Sequence, residues 1–209
     1  MCRHSEDNGD IMTQSAFTTT ITGHVLVKDK TTNEVLLDKN NAIHNKNMAI
    51  AIARGLSNEP PDGLGVGRHQ IYRIKLGNGG SSIDSMNMIT YQPPNITGAA
   101  NLYSPTYSEV IDDAQGTTPA ENSVTYQISP LPDLTTIVIC TATVAAGEPS
   151  GQDLSDSPPN PDPEAQYAFD ELGLFTSDDL LLTHIIFSPI LKTANRELVI
   201  TYTLTVSVS

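Results

Sequence analysis

Three pairs of adjacent acids, Asp112-Asp113, Asp170-Glu171 and Asp178-Asp179, are the groups in this chain best suited by type to do chemistry. Two opposed carboxylates roughly 5–10 Å apart can cleave a glycosidic bond, one as acid and the other as base or nucleophile. Chain spacing neither grants nor denies that geometry. Carbohydrate subsites favour exposed aromatic platforms, and the chain has no Trp; Tyr91, Tyr103 and Tyr107 are the candidates for such a platform. Asp178-Asp179 follows Ser177 between two apolar runs and reads as turn chemistry. Asp112-Asp113, or Asp153 with Asp156, would bind Ca²⁺ weakly, without the spacing of an EF-hand. The plainest expectation for all these acids is solvated loop positions.

Other chemical groups are similarly isolated. The histidines His4, His24, His44, His69 and His184 never recur at a spacing of three or four, so no zinc motif can be read. His24 and His184 fall on strands, as satisfied or solvent-facing side chains. Gly63-Leu64-Gly65-Val66-Gly67 follows two prolines rather than a strand and lacks the Gly-Lys-Ser/Thr ending of a phosphate loop. No nucleophile elbow, catalytic cysteine context or dinucleotide fingerprint is present. The chain is therefore expected to have no catalytic residues, no cofactor and no metal. Cys2 stands in a polar leader, and Cys140, inside Ile137-Val138-Ile139-Cys140-Thr141, is expected to be a small buried hydrophobe.

Charge narrows the partners. Twenty-four acids against eleven bases in 209 residues give a net charge of −13, which repels phosphate backbones and argues against direct nucleic-acid binding. No run approaches the roughly 20 apolar residues of a membrane-spanning helix. Met1–Gln14 lacks the apolar core of a signal peptide, so synthesis in a reducing compartment is expected, and the Asn95-Ile96-Thr97 sequon carries no meaning there.

The elements that must position these groups are mostly strands. Residues 1–15 form a polar arm without periodicity. Residues 16–209 are expected to form one mainly β domain, an antiparallel β-sandwich-like pair of sheets with one short helix. Its first hairpin pairs Thr18–Asp29 with Glu34–Asp38 across Lys30–Asn33. A helix capped by Asn45 or Asn47 follows, with Met48, Ile52 and Leu56 at i, i+4 and i+8 as the stripe laid on a sheet. In Ile71–Leu76, Tyr72, Ile74 and Leu76 face inward while Arg73 and Lys75 face water; Gly77-Asn78-Gly79-Gly80 then makes a turn of positive φ. Short strands are expected near Met88–Tyr91 and Tyr107–Ile111. Val124, Tyr126 and Ile128 alternate with polar residues, and Thr135–Val144 reads as a central strand buried on both faces. After the Pro-rich loop 147–164, Phe169–Phe175 and Leu180–Phe187 form another hairpin, and Leu198–Val208 is the most regular strand. Eight to ten strands are expected.

Several phrases together resemble virion structural proteins of tailed bacteriophages. They are Gly23–Asp29 running into Val35–His44, Asn47–Ala53, Ile74–Gly80, Phe169–Phe175, Leu180–His184 and Arg196–Thr201. The resemblance spans most of the chain from Gly23 onward. It implies a component of the neck or collar, the tail or the capsid surface, present in several copies as a homo-oligomer bound to other virion proteins, with no catalytic residues. Contact elements are then expected in the arm (Cys2, Arg3, His4, Ile11, Met12), at Phe17, and in the Pro-rich loop (Pro149, Pro158, Pro159, Pro161, Pro163). The alternative is a receptor- or carbohydrate-binding module of a tail fibre, or a capsid decoration protein.

Overall fold

The computed structural model describes residues 18–57, 71–111, 122–130, 133–150 and 168–209. The arm, the Gly63–Gly67 segment, Asp112-Asp113 and the Pro-rich loop beyond Ser150 lie outside these residues. Within them are twelve strands and one helix: β1 (Thr19–Asp29), β2 (Val35–Asn40), β3 (Ala42–Ile43), α1 (Asn45–Ser57), β4 (Arg73–Gly77), β5 (Ser81–Ile83), β6 (Ile89–Tyr91), β7 (Pro105–Val110), β8 (Ser123–Ile128), β9 (Thr135–Val144), β10 (Ala168–Phe175), β11 (Leu181–Leu191) and β12 (Leu198–Val208). The strands exceed the expected eight to ten because β3 and β5, of two and three residues, carry too few residues to show a period.

The fold is mainly β and sandwich-like. Sheet A has the order β2-β1-β12-β9-β8, sheet B the order β3-β11-β10-β4-β7, and β5 pairs with β6 apart from both. All pairings are antiparallel. Period-two alternation sends Val25, Val27, Cys140, Ala142, Ile200 and Tyr202 from sheet A into the core, where Ile74, Leu76, Leu172, Leu174 and Ile185 meet them from sheet B. Cys140 is fully buried, and burial pushes its thiol up to about 12, which leaves it inert.

A polar bridge crosses this core. Thr183 Oγ1 accepts from the Leu174 N–H at 3.2 Å and donates to Tyr202 Oη at 2.6 Å, joining β11 of sheet B to β12 of sheet A. At the β1–β2 turn, Asp29 accepts from the Thr31 and Thr32 N–H groups and from Arg196 Nε. The Thr32 N–H, then Arg196, hold its carboxyl down to about 2.

Four local expectations are corrected. The cap of α1 is His44, whose Nδ1 accepts from the Asn47 N–H at 3.3 Å while its Nε2 donates to Gly98 O at 3.2 Å. The helix then buries Asn47, Met48 and Ala51, leaving Ile52 and Leu56 exposed, so only its first half docks on the sandwich. Lys75 does not face water: its ammonium lies 4.4 Å above the Phe175 ring and 2.9 Å from Asp179 Oδ2, while Asp179 Oδ1 draws in Arg73 at 3.8 Å. Strand β9 is not covered on both faces; Thr135–Ile139 are only partly buried, because β9 lies next to the edge strand of its sheet.

The Tyr202→Phe variant should lose about 1–2 kcal/mol of stability in urea unfolding, because Thr183 keeps a buried hydroxyl with no acceptor. A loss below about 0.3 kcal/mol would show that the bridge contributes nothing.

Candidate protein interface

The Asp170-Glu171 pair lies in strand β10, and both residues are buried, contrary to the expectation of solvated loop acids. A bulge between Phe169 and Glu171 breaks strict alternation, and both successive carboxylates reach the excursion that runs from Asn78 to Ser104. Glu171 accepts from the N–H groups of Gly79 (3.2 Å), Tyr103 (2.8 Å) and Ser104 (2.7 Å). Its Oε2 also lies 3.1 Å from His184 Nε2. Because His184 Nδ1 accepts from the Asn95 N–H at 2.8 Å, the proton sits on Nε2 and is donated to Glu171. Asp170 accepts from the Gly80 and Ser81 N–H groups and from Ser81 Oγ, at 2.8, 2.8 and 2.6 Å.

These carboxylates fasten a loop to a sheet. Glu171 accepts four of these bonds and Asp170 three, and both carboxyl groups and His184 are buried. The glycines follow from the same closeness. The expected positive φ does not occur in Gly77–Gly80. Instead a Cβ at Gly77 would meet Ser104 O at 2.4 Å, and one at Gly80 would meet Asp170 O at 2.7 Å. Asp178 and Asp179 form the turn as expected and add ion pairs: Asp178 with Arg54 at 2.8 Å, Asp179 with Lys75.

The remaining sequence candidates divide in two. Of the expected contact residues, only Pro149 is described; it follows the Ala145–Glu148 turn, where the Gly147 N–H donates to Ala194 O at 2.7 Å. Cys2, Arg3, His4, Ile11, Met12, Phe17, Pro158, Pro159, Pro161 and Pro163 lie outside the described residues. The three tyrosines do not form one platform. Tyr107 packs on Phe169 with centroids 6.5 Å apart, whereas Tyr91 and Tyr103 are exposed on the excursion. Tyr91 lines an open groove of about 300 Å³ with Gln92, Lys39, Asn40 and Ser188.

The feature that sequence reasoning missed is a shelf on sheet A. Its inward-facing residues run in registered rows, and cover by sheet B fades from row to row. Val25, Tyr202 and Cys140 are fully buried, with Val124 partly so. One step on, Gly23 and Leu204 are buried, Val138 partly so, and Tyr126 is 71% exposed. In the next row Ile21, Val206 and Thr136 are partly open and Ile128 is 72% exposed. Val208 is exposed beyond them, and its N–H donates to the carbonyl of Leu134, another exposed apolar residue. Helix α1 walls the far side: Met48, Ala49 and Ile52 line a hollow of about 200 Å³ with Thr19, Ile21 and Ile43. Leu56 continues that stripe into solvent at 86% exposure. The alternation Val124-Tyr126-Ile128 was visible in the sequence, but alternation has the same form whether or not a second sheet covers the apolar face.

Among the described residues no group of three or more His, Cys, Asp or Glu side chains is placed to hold a metal, and no helix is long and apolar enough to cross a membrane. Comparison with known proteins gives no match to a family model, a curated protein or a solved structure.

Glu171→Gln should cost about 2–4 kcal/mol at neutral pH, since the amide turns an N–H₂ toward donors that need an acceptor. The pH dependence has two opposed parts. Burial alone would raise Glu171, but the bonds from His184, Ser104 and Tyr103 outweigh it and hold the group below its ordinary 4.5. Its stabilisation is therefore complete above about pH 4.5 and lost as pH falls through the folded-state value. Burial raises Asp170 above 3.8, so its contribution is present below that value and lost as pH rises through the folded one. Unfolding from pH 3 to 8 should show Glu171→Gln flattening the rise in stability toward pH 4.5, and Asp170→Asn removing a decline that sets in above about pH 3.8. Unchanged slopes in both variants would contradict the assignment.

Proposed function

We propose that this chain is a structural virion protein of a tailed bacteriophage, made in the host cytoplasm and held among other virion proteins by surface contacts, at the neck or collar ahead of the tail or capsid surface. The carrying observation is the apolar shelf, since a chain of charge −13 leaving Tyr126, Ile128, Leu134 and Leu56 open to water is built to be covered by protein. The resemblance of Gly23–Asp29, Val35–His44, Ile74–Gly80, Phe169–Phe175 and Leu180–His184 to tailed-phage virion structural proteins supports a particle protein. The reading assigns no catalysis: the buried acids and imidazoles serve as fasteners, and the surface does the work. Neither nucleic acid nor membrane is a direct partner in it.

A second reading, a carbohydrate-binding module, draws on the groove beside Tyr91, where an exposed ring adjoins Gln92, Asn40 and Ser188. Its test is a glycan array, on which the structural reading expects no saturable binding.

The protein should co-purify with intact tailed-phage particles, and an antibody against it should label their head–tail junction in electron micrographs. Particles complete and infectious without the protein would overturn the assignment.

A further inference from the structure

We infer that the shelf is a self-interface, covered by the same shelf of a second copy of this chain packed face to face about a two-fold axis; this rests on the structural reading above and names its partner. Three observations support that occupant.

The first is area. With side-chain areas of order 150–250 Å², the exposed parts of Ile52, Leu56, Tyr126, Ile128, Leu134 and Val208 amount to roughly 700 Å². That exceeds the ~300–600 Å² of the largest apolar patch on a typical monomer and approaches the ~800 Å² per partner of a standard interface.

The second is charge. Two copies that each carry −13 repel one another wherever acids face acids. The shelf rows hold no charged residue, so this is the surface on which like copies approach at least cost. Helix α1 contains Lys46 and Arg54 and no acid, and Arg54 is paired with Asp178. The β8–β9 segment Ser123–Val144 contains Asp133 as its one charged residue. An arrangement that sets α1 of one copy over β8–β9 of the other brings opposite signs together at the rim.

The third is shape. One side of the shelf is a helical ridge bearing Ile52 and Leu56, and the other is a floor of strands bearing Tyr126 and Ile128. A two-fold axis between them lays the ridge of each copy on the floor of the other, the self-complementary form of contact that symmetric dimers use.

Sedimentation velocity of the full chain across about 1–100 µM should show a dimer. Ile128→Asp on the floor and Leu56→Glu on the ridge should each weaken it by at least about 30-fold, as loss of a central contact does. Both positions are largely in water within one copy, so the variants should stay folded and unfold cooperatively, with a midpoint lowered only by the lost mass-action stabilisation of the dimer. Met86→Asp, exposed on the excursion away from the shelf, should leave the dimer intact. Three outcomes overturn the inference. A dimer unaffected by both shelf variants places the contact elsewhere. A monomer that binds an apolar dye at the shelf shows a surface meant for a different protein. A monomer that excludes the dye shows that the chain covers its own shelf. Particle labelling decides the structural role separately: a labelled particle with a monomeric protein overturns only the pairing, and a dimer absent from particles overturns only the function.

Discussion

Two sheets of unequal reach, packed face to face, set the terms for the rest of this molecule. Strands β1, β9 and β12 of sheet A run ten or eleven residues, whereas in sheet B β11 matches them and β4, β7 and β10 run five to eight. Side chains alternate strictly along a strand, so a sheet cannot stop being apolar on its inner face simply because its partner has ended. The short helix meets half of that excess at β1 and leaves the β8 side open. Core, shelf and helix position are in this sense one geometric fact.

The opposite face of sheet B is solved differently. There a polypeptide excursion, rather than a sheet, lies over β10 and β11, and backbone N–H groups that would be orphaned beneath it are collected by two carboxylates. The electrostatic cost of burying Glu171 is outweighed by its four donors, whereas the three donors to Asp170 meet that cost only in part. Leu102 closes over Phe175 and Leu181 in a small second apolar cluster, so the excursion is fastened by charge at one point and by burial at another. His44 and His184, isolated in sequence, are fasteners of the same kind, tying the excursion at Gly98 and Asn95.

Much of the fold was legible in the amino-acid pattern because period-two alternation over six or more residues is a local property. Strands β1, β8 and β12 announce themselves in this way, and β9, β10 and β11 as apolar or β-branched runs between turns. Strands β3 and β5, of two and three residues, do not, and neither did the true cap of α1, since His44 caps only because the Asn47 N–H and Gly98 O happen to flank its ring. The site was less legible still. Whether Lys75 points to water or to Phe175, and whether Ile128 is core or surface, depends on where a distant sheet ends, and no window of sequence contains that. Asp170-Glu171 looked like a surface pair because acids usually are; only the bulge in β10 shows otherwise.

The strand order of sheet A also bears on how the chain is made. Its middle strand, β12, is the last in sequence, and it pairs along eleven registered positions with β1, the first. During synthesis β1 and β9 therefore wait with the edges that will face β12 unpaired until Leu198–Val208 leaves the ribosome. Contacts between such distant segments carry a large loop-closure entropy, which slows folding and prolongs the exposure of strand edges. A chain of this topology completes sheet A only when Leu198–Val208 is available to pair, and crowding many unfinished copies together favours pairing between chains over pairing within one.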